Sequence, residues 1–228
     1  LKQALLLLSA VLAAAYGIYG DGLYAGAPPF TLAAAFKASG ILALGLVAII
    51  NGSRLLACGL LFGALGDALL AWRHETFLYG ALAFLVGHLC YITLFLRNGV
   101  GMRAALRDRA RILLLAATLI AALTASRLTP ASSPMFVPLG VYSVVLTAMT
   151  AASYTLAWAR WRAMIGAVLF FISDGFVAWN MFHHASDPAL AFWRSFAGWM
   201  IYWAGQAALC FGALPLGTAR VQASSSSL

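Results

Sequence analysis

Stretches of roughly twenty residues with almost no charge recur from one end of this chain to the other, and they limit what it can fold into. An α-helix needs about 20 mostly apolar residues to cross the hydrocarbon core of a bilayer. Eight such segments are legible, at about 2–20, 31–50, 54–72, 76–96, 110–126, 134–158, 163–183 and 190–213. Composition agrees: 64% of residues are hydrophobic and 9% charged, against about 45–50% and about 25% in soluble domains. The excess apolar surface needs lipid as its solvent. The expected fold is all-α, a polytopic membrane protein of eight transmembrane helices in one domain over residues 1–220. Residues 221–228 read as a disordered tail or a cloning scar. Lys2, an apolar run and Ala13-Ala14-Ala15 resemble a signal peptide, but the run continues to Gly20, long enough to span.

The net charge of +8 is distributed as a topology signal. Ten Lys and Arg fall on one side of the alternating segments, five of them in the loop from Arg97 to Arg111; three, Arg73, Arg127 and Arg194, fall on the other. Positive residues favour the cytoplasmic side. Both termini are therefore expected in the cytoplasm, in a membrane read as a bacterial inner membrane. No long basic face remains for nucleic acid. The other connections are short turns such as Ala27-Pro28-Pro29, Asn51-Gly52-Ser53 and Thr129-Pro130. Cys58, Cys90 and Cys210 lie inside apolar segments and read as inert packing residues.

A faint internal repeat accompanies this pattern. Gly66-Asp67-Ala68-Leu69-Leu70-Ala71-Trp72 ends the third segment, and Ser173-Asp174-Gly175-Phe176-Val177-Ala178-Trp179 occupies the seventh. Gly87-His88-Leu89-Cys90-Tyr91 in the fourth parallels Gly198-Trp199-Met200-Ile201-Tyr202 in the eighth. An offset of four helices implies two parallel four-helix repeats about an axis along the membrane normal.

The ionisable residues inside these segments carry the functional argument. Such a group at bilayer depth costs at least about 2.5–3.5 kcal/mol, so it faces a cavity or a partner. Lys37, Asp67, His88 and Asp174 are of this kind. Gly59, Gly63 and Asp67 are spaced by four and share one helix face, which allows close helix contact. Asp67 should therefore point into the bundle. Asp174 is deeper in its segment, and its short side chain cannot snorkel as a lysine does. His88 with Tyr91, and Tyr202 with Gln206, share faces by their spacing. With Tyr142 they are expected to line one polar cavity. The plainer readings are a structural aspartate paired with Lys37 or a tyrosine, and a Lys37 that snorkels to the surface. His183-His184 with Asp187 reads as a solvated helix end rather than a metal site, because adjacent histidines leave a helix on different faces.

Together, Gly66-Asp67 with Trp72, Gly87-His88-Leu89-Cys90-Tyr91, Tyr142, the block from Phe170 to Trp179, and Tyr202 with Gln206 resemble the YhhN-type lysoplasmalogenase family. Lys37 stands where that family carries a helix-two lysine, followed here by Ala38-Ser39 rather than a frequent Pro. The resemblance implies an eight-helix membrane hydrolase acting on a lysophospholipid. It would cleave the vinyl ether bond of lysoplasmalogens to a fatty aldehyde and a glycerophospho-alcohol. Its partners would be that substrate and membrane lipid, and no cofactor or metal is called for.

Vinyl ether hydrolysis requires an acid that protonates the alkene and a base that activates water. Two carboxyls flanking an oxocarbenium-like transition state are the glycosidase solution. Asp67 and Asp174 are the expected catalytic pair, with the acid and base roles unassigned. His88, Tyr91, Tyr142, Tyr202 and Gln206 would orient water and the ether oxygen. Lys37 would hold the phosphate or tune an aspartate. Two other classes fit the same residues, a small proton-coupled transporter and a non-catalytic lipid-binding scaffold.

Overall fold

In the computed structural model, the backbone is described for residues 1–24, 32–72, 74–183 and 186–225, and side chains for 1–20, 32–72, 75–183 and 186–214. The Ala27-Pro28-Pro29 turn, Arg73, His184 and residues 226–228 lie outside the described residues, as does the Arg220 side chain.

The chain forms nine α-helices among the described residues and no strand. They are α1 (Lys2–Tyr24), α2 (Leu32–Ile50), α3 (Arg54–Trp72), α4 (Phe77–Asn98), α5 (Met102–Ala105), α6 (Arg109–Ala125), α7 (Phe136–Ser153), α8 (Trp161–Phe182) and α9 (Pro188–Ser225). Seven of them, α1–α4 and α6–α8, are long and apolar enough to cross a membrane. The eighth expected span, in α9, is less apolar than these seven: Gln206, with Trp199, Tyr202 and Trp203, dilutes even its most apolar stretch. The outer surface is apolar, with Leu113 69% and Leu123 70% exposed, as lipid-facing helices require. Trp72, Tyr79, Trp179 and Trp193 ring one end of the bundle, while Trp158 and Trp161 mark the other, the distribution of interfacial aromatic belts.

Consecutive helices pack in sequence from α1 to α4, α4 meets α7, and α8 and α9 share the most extensive contact. A Cβ on Gly166 of α8 would sit 2.7 Å from the Gly205 carbonyl oxygen of α9, so only glycine permits that approach. The α9 helix returns to α1, α2 and α3. Trp199 Nε1 donates to the Ala13 carbonyl at 2.8 Å, Trp203 Nε1 to Ser9 Oγ at 2.9 Å, and Ser9 Oγ in turn to the Gly40 carbonyl at 2.7 Å. This return places residues of the last helix beside those of the second and third.

The turn expected at Asn51-Gly52-Ser53 closes α2 with Gly52 at φ +71°, a left-handed conformation that glycine adopts without a Cβ penalty. The sixth segment, expected to reach residue 158, stops as an α-helix at Ser153. There the Tyr154, Thr155 and Leu156 N–H groups bond back three residues. The freed carbonyls find long-range donors: Tyr154 O accepts from Arg111 Nη1 at 2.9 Å, and Thr155 O from Val100 N at 2.7 Å. The basic loop is also more structured than its composition suggests. It contains α5, and Asp108 caps α6 by accepting from Ala110 N at 3.0 Å. Trp158 Nε1 donates to the other Asp108 oxygen at 2.7 Å. Chiefly that indole, then the α6 backbone and Arg111, hold the partly exposed Asp108 carboxyl below the usual carboxylate range.

Candidate active site

Five of the polar residues singled out from the sequence meet in one place. Lys37 (α2), Asp67 (α3), Tyr142 (α7), Asp174 (α8) and Tyr202 (α9) line a single cavity of about 480 Å³. That volume lies within the range of small-molecule sites, roughly 300–1,000 Å³. Apolar and aromatic side chains, among them Leu70, Phe84, Leu146, Phe171 and Trp199, form most of the remaining wall. Asp67 lies five residues before the end of α3, Asp174 eight before the end of α8, and Lys37 five after the start of α2. At 1.5 Å per residue these offsets put all three within about 12 Å of one end of the bundle. That is the end ringed by Trp72, Tyr79, Trp179 and Trp193.

Each carboxylate receives a phenol. Tyr202 Oη donates to Asp67 Oδ2 at 2.8 Å, and Tyr142 Oη donates to Asp174 Oδ2. Behind each phenol stands a second group. Gln206 Nε2 donates to Tyr202 Oη at 3.2 Å, and Gln206 Oε1 accepts from Tyr91 Oη at 2.8 Å. His88 Nε2 lies 3.0 Å from Tyr142 Oη. With the Tyr142 proton given to Asp174, the phenol oxygen accepts from His88 in its Nε2–H tautomer. The other ring nitrogen, Nδ1, is then an unprotonated acceptor, and it is buried with no partner. Both chains thus run donor to acceptor toward a carboxylate. Phe170 stands between them, its ring 4.8 Å from that of His88 and 5.2 Å from that of Tyr202, both edge-on.

The expectation that all these groups line the cavity needs correction. His88, Tyr91 and Gln206 do not line it; they lie behind the two phenols, and each is at most 1% exposed. His88 and Tyr91 share a helix face, as their spacing requires, but join different arms. One meets α7 and the other α9. Tyr202 and Gln206, four apart, do bond to each other. The Gly59–Gly63–Asp67 face reveals its use here. A Cβ on Gly59 would fall 2.4 Å from the Tyr91 ring, and one on Gly63 2.9 Å from Gln206 Nε2. The missing side chains make room for the relay that ends on Asp67.

Lys37 lines the cavity without an ion pair among the described residues. Its ammonium lies 5.8 Å from the centre of the Tyr16 ring and 5.6 Å from that of Trp199, within cation–π range. No group of three or more metal-ligating side chains occurs among the described residues. Cys210 is buried, while Cys58 and Cys90 are half-buried and in contact, Sγ to Sγ, at 3.2 Å. Sequence reasoning missed Asn180. It lines the cavity, and its Oδ1 is buried without a hydrogen-bond partner. An amide inside an otherwise apolar segment was the available signal.

Residues 32–213 match the YhhN family. This chain belongs to the YhhN family. The matched region contains Lys37, Asp67, Tyr142, Asp174 and Tyr202 of the cavity and the two arms behind them, while Tyr16 of the cavity wall lies before it. Among relatives, the chain is 30% identical over 202 residues to the lysoplasmalogenase of Mycobacterium tuberculosis, covering 80% of this chain and 76% of that protein. It is 37% identical over 134 residues to lysoplasmalogenase TMEM86B of Mus musculus, covering 56% and 51%. It is 32% identical over 133 residues to lysoplasmalogenase TMEM86A of Bos taurus, covering 54% and 52%. The chain thus spans about half the length of these two TMEM86 relatives. No solved structure matches this YhhN chain.

Proposed function

We propose that this YhhN-family chain is a membrane-embedded hydrolase that cleaves the vinyl ether bond of lysoplasmalogen-type lysophospholipids. The observation that carries the reading is the meeting of Asp67 and Asp174, from separate helices, in one largely apolar cavity that also holds Lys37. The names of the relatives supply the substrate class.

In the proposed reaction one aspartic acid gives its proton to the outer alkene carbon of the vinyl ether, leaving an oxocarbenium ion. The other, as carboxylate, takes a proton from the water that adds to that ion. The resulting hemiacetal collapses to a fatty aldehyde and the glycerophospho-alcohol, with one water consumed. The arrangement suits this chemistry because each carboxyl is fixed by a phenol, so little reorganisation accompanies charge formation. Lys37 fits the phosphate as a counter-charge in a low-dielectric wall. We further propose that α9 is the eighth span and that the bundle consists of two parallel four-helix repeats, in which α3–α4 correspond to α8–α9. With an even number of spans, both termini lie on one face, read from the charge bias as cytoplasmic.

The test is a lipid hydrolysis assay on purified protein in detergent, beside Asp67→Asn and Asp174→Asn. Aldehyde release by the wild type is expected, with loss of at least about 100-fold in each variant, as removal of an acid–base group implies. Folded Asn variants that retain full turnover would defeat the two-aspartate scheme. No aldehyde from any vinyl ether lysolipid would defeat the hydrolase reading itself.

A further inference from the structure

We propose that Asn180 is a specificity-determining residue of this cavity, the acceptor for a hydrogen-bond donor on the polar end of the lipid. The inference rests on the hydrolase reading for its reaction but on separate observations for its site. Asn180 lines the cavity, and its Oδ1 is buried with no partner. A buried acceptor left unpaired carries an uncompensated desolvation penalty. Native proteins rarely keep such a group without a use.

Its location selects the class of group. Asn180 lies two residues from the end of α8, and Asp174 lies six residues deeper on the same helix. At 1.5 Å per residue the two are about 9 Å apart along the axis, with Asn180 toward the surface. A vinyl ether at the level of the aspartates would therefore place the glycerol and headgroup near Asn180. A phosphate offers only acceptors and does not match a carbonyl oxygen. The free glycerol hydroxyl of a lysolipid, or the ammonium of an ethanolamine headgroup, supplies the required donor.

The turn that carries Asn180 is held from outside. Arg194 Nη2 donates to the His183 carbonyl at 2.7 Å, and the guanidinium lies 5.5 Å from the centre of the Trp179 ring. His183 N also donates to the Trp179 carbonyl at 2.8 Å. These contacts fix the last turn of α8 on both sides of Asn180, so the amide is presented by a constrained segment. A site built to bind a hydroxyl or N–H discriminates against an analogue that lacks it, because the buried partner is then left unpaired.

The experiment compares three ether lipids. They are a 1-alkenyl lysophospho-ethanolamine, its counterpart with hydrogen in place of the glycerol hydroxyl, and its choline counterpart, which has no N–H. Saturated 1-alkyl versions of all three serve for binding, which is read whether or not hydrolysis occurs. The wild type is expected to favour the full ethanolamine lysolipid over at least one of the two analogues by about 10- to 100-fold. The hydroxyl and ammonium sources are distinguished by which analogue is rejected. Asn180→Leu should erase that gap at unchanged or higher thermal stability, since it removes an unpaired buried acceptor, and Asn180→Asp, which keeps an acceptor, should retain it. An Asn180→Leu variant that weakens all three lipids by one common factor, or none of them, overturns the proposal. So does failure of the wild type to bind any of them, or to discriminate among them. Discrimination by binding without aldehyde release would leave Asn180 assigned and remove the hydrolase reading.

Discussion

Removing the Tyr142 hydroxyl tests the architecture of the site at its most connected point. The phenol donates to Asp174 and accepts from His88 Nε2 at 3.0 Å, so Tyr142→Phe deletes two interactions with one oxygen. A hydrogen bond to a charged group is worth about 1.5–3 kcal/mol. If it is needed in the transition state, turnover should fall by about 10- to 150-fold. The same change leaves His88, 1% exposed, with neither ring nitrogen paired. Interhelical hydrogen bonds in membrane proteins are worth about 0.6–1.7 kcal/mol in double-mutant cycles, so a matching loss of stability is expected. His88→Leu should cost less in rate, because Tyr142 can still donate to Asp174. The double variant is the decisive measurement. It should turn over like Tyr142→Phe alone and melt above it, since no orphaned imidazole remains. The assay is aldehyde release and thermal melting of the four proteins in one detergent. Rate losses that multiply, or a folded Tyr142→Phe with wild-type turnover, would refute the idea that His88 acts through the phenol.

Other consequences follow from single distances. Gly59→Ala would drive a Cβ to 2.4 Å from the Tyr91 ring and should destabilise by about 1–3 kcal/mol. Gly140→Ala, with nothing within 4 Å, should be neutral or slightly stabilising; melting temperatures compare them. The thiols of Cys58 and Cys90 touch at 3.2 Å, so a mild oxidant should join them in a bond seen by peptide mass mapping and absent in Cys58→Ser. If no such bond forms, the two thiols do not meet. Asp108 titrates lower in the folded chain than the ~3.9 of an unfolded one. Its stabilisation is therefore complete above the unfolded value and lost as pH falls through the folded one. Melting of the wild type should drop at the acid end of a pH series, and Asp108→Asn should lack that part of the drop.

The sequence determined the helices, their approximate ends and the lipid solvent, because hydrophobic runs of spanning length act locally and need no knowledge of neighbours. It also singled out Asp67, Asp174, Lys37 and their polar companions, because a charge in hydrocarbon is conspicuous in one dimension. Helical periodicity placed Gly59, Gly63 and Asp67 on one face, and Tyr202 with Gln206 on another. It could not say what those faces meet. Only the tertiary fold decided that His88 and Tyr91, neighbours on α4, serve different carboxylates, and that they stand behind the cavity rather than in it. It also ended α7 at Ser153, where donors from the basic loop take over the carbonyls, and it placed Asn180 in the cavity wall. The reason is geometric: spacing along a helix fixes an angle about that helix's own axis. The partner across the gap depends on how α7, α8 and α9 cross the others, and no local pattern encodes that.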